Sequence, residues 1–123
     1  PLQLSGYHTK AHTHATCANY QINRDAHRHN VWINPLDAAE RNIETGDMVR
    51  VFNDHGEILI EAKVTDRIMP GVGAIPQGMW HDADMDGDRV DKGGCINTLT
   101  SRHCTPVAKA TGQHTIIGQI AKA

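Results

Sequence analysis

Residues 48–64 constrain the fold most tightly. Ile58, Ile60, Ala62 and Val64 alternate with Glu57, Glu61 and Lys63, with Leu59 as the exception. Alternation at period two sends successive side chains to opposite faces of a β-strand, so Glu57–Val64 predicts a half-buried strand. Just before it, Asp54-His55-Gly56 supplies a tight turn with a glycine available for positive φ, and Met48–Asn53 reads as the partner strand. The pair predicts a hairpin with one apolar face, which further elements must cover. Few helices are available for that. The one clear start is Asn34-Pro35-Leu36-Asp37, with Asn34 as cap, Pro35 at the first helical position and Asp37 complementing the helix N-terminus. Leu36, Ala39 and Ile43 predict its apolar stripe and Gly46 its end. Leu2–Leu4, Val31–Ile33, Val72–Ile75 and Thr115–Ile120 predict further short strands. Residues 6–30 hold five of the nine histidines and, like the Gly- and Asp-rich residues 76–95, show no period. Both predict long loops, which a compact domain carries for function or leaves disordered. Short strands, one short helix and two polar loops predict a mainly β fold, a small barrel rather than a sandwich or an α/β layer.

The 123 residues suit one domain, and no repeat or linker divides them. Aromatic residues are only 4% of the chain, so aliphatic side chains must fill the core. No apolar run approaches the roughly 20 residues of a membrane span. Pro1-Leu2-Gln3-Leu4 is neither an initiating Met nor a charged-then-apolar leader, so the chain reads as a piece of a longer polypeptide. Cys17, Cys95 and Cys104 are odd in number and form no CxxC, which argues against a disulfide framework or a cysteine-rich zinc site. The net charge of −2 is unevenly spread: residues 1–30 and 92–123 are basic and the stretch between them is acidic. The ends are therefore suited to approach an anion, whereas the overall acidity excludes a nonspecific nucleic-acid face.

Four segments carry possible chemistry. In Gly6–Thr16, His8, His12 and His14 have the spacing of metal ligands but no carboxylate beside them. The same loop, with Lys10 and Thr13, equally suits an anion such as a pyrophosphate, or is simply polar. Asp82-Ala83-Asp84-Met85-Asp86-Gly87 matches the first half of an EF-hand loop, but Gly93 stands where the closing Glu belongs, so it reads as a solvated acidic loop. In Gly93–Thr100, two glycines permit close backbone approach, and Asn97 offers an amide that donates and accepts, suited to a purine or pterin edge. A Gly-rich turn with a capping Asn is the plainer reading. Ala110–Thr115 repeats the glycine-plus-amide pattern with Gln113. No Ser/His/Asp order, Walker loop or GxGxxG stands out, and Cys17 reads as a bystander thiol.

Taken together, VWINPLDAAERNIETGDMVRVFNDHGEILIEAKVTDRIMPGV, GGCINTLT with PVAKATGQHT behind it, and the opening LQLSGYHTKAHTHAT resemble a known family over nearly the whole chain. It is the C-terminal molybdopterin-dinucleotide-binding domain of the dimethyl sulfoxide reductase family, in the branch of the anaerobic catalytic subunits. The resemblance implies a double-psi β-barrel with short helices over residues 1–123. It implies a bis(molybdopterin guanine dinucleotide) molybdenum cofactor, with tungsten in some relatives. It carries phosphate and pterin contacts onto His8, Lys10, Thr13 and His14, further contacts onto Asn97, Thr98 and Gln113, and a lining aromatic onto Trp80. His12 stands where relatives commonly have Arg, and Ala15 where they have Ser. A guanidinium and a hydroxyl are thereby lost, and His12 donates only in part.

No catalytic residue or metal ligand is expected in this chain. By the resemblance, the metal's own protein ligand and any 4Fe-4S ligands belong to other domains of the same catalytic subunit. That subunit would reduce S-oxides or N-oxides. Its partners would be an iron–sulfur electron-transfer subunit plus a membrane anchor subunit. It would reach the periplasmic face of the membrane by twin-arginine export. The competing expectation is a structural metal-binding module using His8, His12 and His14 or the Asp82 loop, or an adaptor barrel without redox role. The cofactor reading requires the first loop and the two glycine-and-amide corners to meet on one surface.

Overall fold

The predicted hairpin forms. In the computed structural model, which describes residues 1–123, β3 (Met48–Asn53) and β4 (Gly56–Val64) pair antiparallel from Met48↔Glu61 to Asn53↔Gly56. Ile58, Ile60 and Ala62 are buried, and Val64 packs partly buried against the same cluster. Four more strands complete the sheet: β1 (Leu2–Tyr7), β2 (Asn30–Ile33), β5 (Val72–Pro76) and β6 (Ile116–Lys122). All six predicted strands are present, β3 with its predicted bounds and the others with shifted ends. They close into a barrel in the order β1-β5-β2-β4-β3-β6.

The ladders obey a simple rule. Each joins a strand of the first half, β1–β3, to one of the second half, β4–β6. Exchanging β1 with β4, β2 with β5 and β3 with β6 reproduces the whole set, including the parallel pairs β1·β5 and β2·β4. Two half-chains of one plan are interleaved, and the fold is a double-psi β-barrel, mainly β with short helices.

A single cluster of 16 buried residues fills the barrel, aliphatic throughout. Burying each of its larger side chains contributes roughly 1.5–3 kcal/mol. Leu4, with no exposed surface, sits between two glycines. A Cβ on Gly73 would stand 2.9 Å from Leu4 Cδ2, and one on Gly118 would stand 2.8 Å from Leu4 Cδ1. The two strands flanking β1 give up their side chains there to make room for it.

The helices depart from expectation. α2 (Pro35–Glu40) starts as predicted: Asn34 caps it, accepting from Leu36 N at 2.9 Å, and Pro35 opens it. It stops at Glu40, however, so Ile43 lies beyond it, and Leu36 is 67% exposed. The buried face is Asp37 and Ala38. Asp37 Oδ2 accepts from Gly71 N at 2.7 Å, which ties the helix to the β4–β5 turn. The 6–30 loop contains a six-residue helix, α1 (Gln21–Ala26), with no buried residue. A helix without a buried face leaves no periodic trace in the sequence.

Candidate functional site

The ladders bring the polar segments to one end of the barrel. β1 runs parallel to β5 up to Tyr7↔Pro76 and antiparallel to β6, with Leu4 opposite Ile116. The end of β1, the end of β5 and the approach to β6 therefore lie together. Gly6 N donates to the Gln113 carbonyl at 3.1 Å, and Gln77 N donates to the Tyr7 carbonyl at 2.9 Å. Gly6 has room only for hydrogen, since a Cβ would stand 2.8 Å from Gln77 Nε2 and 3.3 Å from Ile96 Cδ1. Gly78, at φ +100°, lies so close beneath the His14 carbonyl that any side chain would overlap it. The first loop thus folds back over Gly78.

A 3₁₀ turn, η1 (Ile96–Leu99), presents Asn97 at the same end. Gln113 Nε2 donates to Asn97 Oδ1 at 3.1 Å. That bond leaves Asn97 Nδ2 as a donor and Gln113 Oε1 as an acceptor, a complementary pair for the edge of a heterocycle. The first loop, the Asn97 turn and the Gln113 corner are thus contiguous. His8 and His14 stack edge to face with ring centroids 4.6 Å apart, and both are exposed, as are Lys10 and Thr13. His12 Nδ1 donates to the His14 carbonyl, and its backbone N–H donates to Thr9 Oγ1 at 3.3 Å, so it braces the loop from within.

Two of the sequence candidates stand apart from this group. Thr98 turns inward: its hydroxyl donates to Asp91 Oδ2 at 3.0 Å, and its methyl group leaves no room for a Cβ on Gly56. Trp80 has an exposed side chain, and only its carbonyl, packed against Gly93, joins it to the Asn97 turn.

Sequence reasoning missed the residues beneath the face. Asp91 has no exposed surface, and its carboxylate accepts four hydrogen bonds. His29 Nε2 donates to the Gly94 carbonyl at 2.8 Å. Burial holds its imidazole below the ordinary value, outweighing the Gly94 carbonyl, which pulls the other way. Burial pushes the Tyr7 phenol up to about 12. It also raises the Cys95 thiol, which keeps that group protonated and unsuited to act as a nucleophile. Tyr7 Oη, His27 Nδ1 and His29 Nδ1 are buried without a partner. The only available signal was Tyr7 and the two histidines flanking Arg28, next to strands.

Two clefts lie on the surface, neither of them lined by Asn97 or Gln113. One, of about 640 Å³, is lined by Phe52, Leu99, Gly112, Thr115 and Ile117 among others. The other, of about 570 Å³, is lined by Thr9, His12, His27, His29, Met79 and Gly93 among others. No three His, Cys, Asp or Glu side chains converge as a group that could hold a metal ion. In the acidic loop, Asp84 Oδ1 instead accepts from Asp86 N and Gly87 N, closing its own turn. No helix is long and apolar enough to cross a membrane. Glycine-lined backbone, a donor–acceptor amide pair, exposed cationic and hydroxyl groups and unpartnered buried polar atoms together fit a ligand of phosphates and heterocycles.

The chain is similar to known proteins over its whole length. It is 52% identical over 122 residues to dimethyl sulfoxide reductase DmsA of Escherichia coli (strain K12), covering 99% of this chain and 15% of that protein. It is 49% identical over 120 residues to DmsA of Haemophilus influenzae (strain ATCC 51907 / DSM 11121 / KW20 / Rd), covering 98% of this chain and 15% of that protein. The chain thus spans about 15% of the length of these curated relatives. Among solved structures, acetylene hydratase from Pelobacter acetylenicus superposes with a TM-score of 0.83 at 18% identity, over 100% of this chain and 18% of that one, a likeness of fold. Residues 2–117 match the family described as "Molydopterin dinucleotide binding domain". The chain belongs to the molybdopterin-dinucleotide-binding domain family.

Proposed function

We propose that this domain grips a bis(molybdopterin guanine dinucleotide) cofactor within the catalytic subunit of an anaerobic dimethyl sulfoxide reductase acting on S-oxides or N-oxides. The observation that carries the reading is the Gln113–Asn97 hydrogen bond, with Gly6 N on the Gln113 carbonyl beside it. These contacts join three segments, distant in sequence, into one donor-rich face. Asn97 and Gln113 would meet a guanine or pterin edge with Nδ2 and Oε1. His8, Lys10, Thr13 and His14 would meet phosphate oxygens, with His12 bracing their loop and Trp80 at the margin. Thr98 would act from below, through Asp91. The molybdenum of the bound cofactor supplies the two-electron oxygen-atom transfer. The protein binds and orients the cofactor and excludes water from it.

Other domains of the same subunit would complete the cleft. An iron–sulfur subunit would deliver electrons, a membrane anchor would hold the assembly, and twin-arginine export would place it on the periplasmic side. The 52% identity to a dimethyl sulfoxide reductase supports the place of this domain in a catalytic subunit of that kind.

The test uses the full-length subunit that carries this domain. Asn97→Ala with Gln113→Ala should lower both molybdenum and acid-released guanine nucleotide several-fold per folded polypeptide. Unchanged content of both would overturn the reading.

A further inference from the structure

We infer that Asp91 is the positioning residue of this face: its buried carboxylate fixes the turn that presents Asn97 to Gln113. The role of Asn97 itself rests on the cofactor reading above.

A carboxylate survives burial only when its oxygens are supplied with donors. Asp91 has no exposed surface, and no cation pairs with it. Four donors take the place of a counter-charge, and they divide between its two oxygens. Oδ1 accepts from Asp82 N at 2.8 Å and Gly93 N at 2.9 Å, holding the 77–95 loop. Oδ2 accepts from Cys95 N at 2.8 Å and Thr98 Oγ1 at 3.0 Å. Asn97 lies between Cys95 and Thr98 in the chain, so one oxygen pins the turn on both sides of it. The Asp91 backbone is anchored in turn to the core hairpin: its N–H donates to the Glu57 carbonyl and its carbonyl accepts from Leu59 N, each at 2.9 Å. The chain of constraint runs from β4 through Asp91 to the Asn97 amide.

The division of donors makes Asp91→Asn a selective probe. Its amide oxygen can still serve the two N–H groups on the Oδ1 side. Its NH₂ then faces the Cys95 N–H, donor against donor, while the Thr98 hydroxyl can rotate to accept. The Asn97 turn should loosen while the 77–95 loop and the hairpin stay in place.

The experiment compares Asp91→Asn, Asn97→Ala and the double variant in the full-length subunit. Hydrogen exchange in the cofactor-free protein should quicken about tenfold or more at residues 95–98 and stay unchanged across β4. Guanine nucleotide content of Asp91→Asn should fall toward that of Asn97→Ala, and the double variant should fall no further, as for residues acting through one another. Unchanged exchange at 95–98, or a loss in the double variant equal to the two single losses combined, overturns the inference. If Asp91→Asn does not fold, Thr98→Val removes one donor from the same oxygen and should quicken exchange at 95–98 to a smaller degree; no change there overturns the inference as well. If Asn97→Ala keeps its nucleotide while Asp91→Asn still loosens 95–98, the positioning role stands and the cofactor reading fails.

Discussion

His29 couples the Gly94 turn to proton concentration. A carbonyl can only accept, so Nε2 carries the proton; Nδ1 is buried without a partner, and the ring is held neutral. Burial lowers its folded value below the ordinary 6.5, against the opposing Gly94 carbonyl. The unfolded chain therefore binds the proton more readily, and folding stability falls as pH drops from 6.5 toward the lower folded value. Urea denaturation across that range should show this loss, and His29→Gln, which keeps a donor for Gly94, should remove this residue's share of it. Tyr7 behaves differently. Its hydroxyl is buried and unpartnered, so Tyr7→Phe should raise stability by about 1 kcal/mol in the same assay. A loss instead would reveal a hydrogen bond made by that hydroxyl. Both residues show where sequence reading ends. His8, Lys10 and Asn97 could be proposed from the sequence because donors on polar loops look like donors, and all three are exposed. Asp91 was not, because an Asp in a Gly- and Asp-rich stretch looks solvated, and its burial depends on donors from Asp82, Gly93, Cys95 and Thr98 that only the fold brings together.

At the level of elements, local chemistry predicted what local forces determine. The β3–β4 hairpin follows from alternation and a glycine turn, and α2 begins where Asn34 and Pro35 set it. Asn34 has a second task that no capping rule foresees: its Nδ2 donates to the Ile68 carbonyl at 2.7 Å. Asn34→Ala breaks both bonds and should cost about 1–3 kcal/mol in thermal or urea denaturation. Asn34→Ser, which keeps the cap alone, should cost less. The Leu36, Ala39, Ile43 stripe failed because its period presumed two turns of helix and α2 has fewer. With the helix this short, docking rests on Ala38 in the core and on the Asp37–Gly71 bond, while Arg41, whose Nη1 lies 3.8 Å from Asp37 Oδ1, pairs within the helix's own last turn.

Over the whole molecule, neither half of the chain can satisfy its own strands. Every ladder crosses between β1–β3 and β4–β6, so a half-chain has only unpaired edges. Fragments 1–54 and 55–123 should each be disordered by circular dichroism and regain β structure only when mixed. β structure in either fragment alone would contradict the interleaving. Periodicity could not have shown this arrangement, because pairing between remote segments leaves no local mark; the family resemblance supplied it. The interleaving also bears on biosynthesis. The Gln113 corner is fixed by β6 lying against β1, so a nascent polypeptide still lacking β6 has neither a closed barrel nor a completed binding face. Dinucleotide binding at this face would then await β6, and ribosome-bound chains halted ahead of residue 116 should not hold the ligand through it.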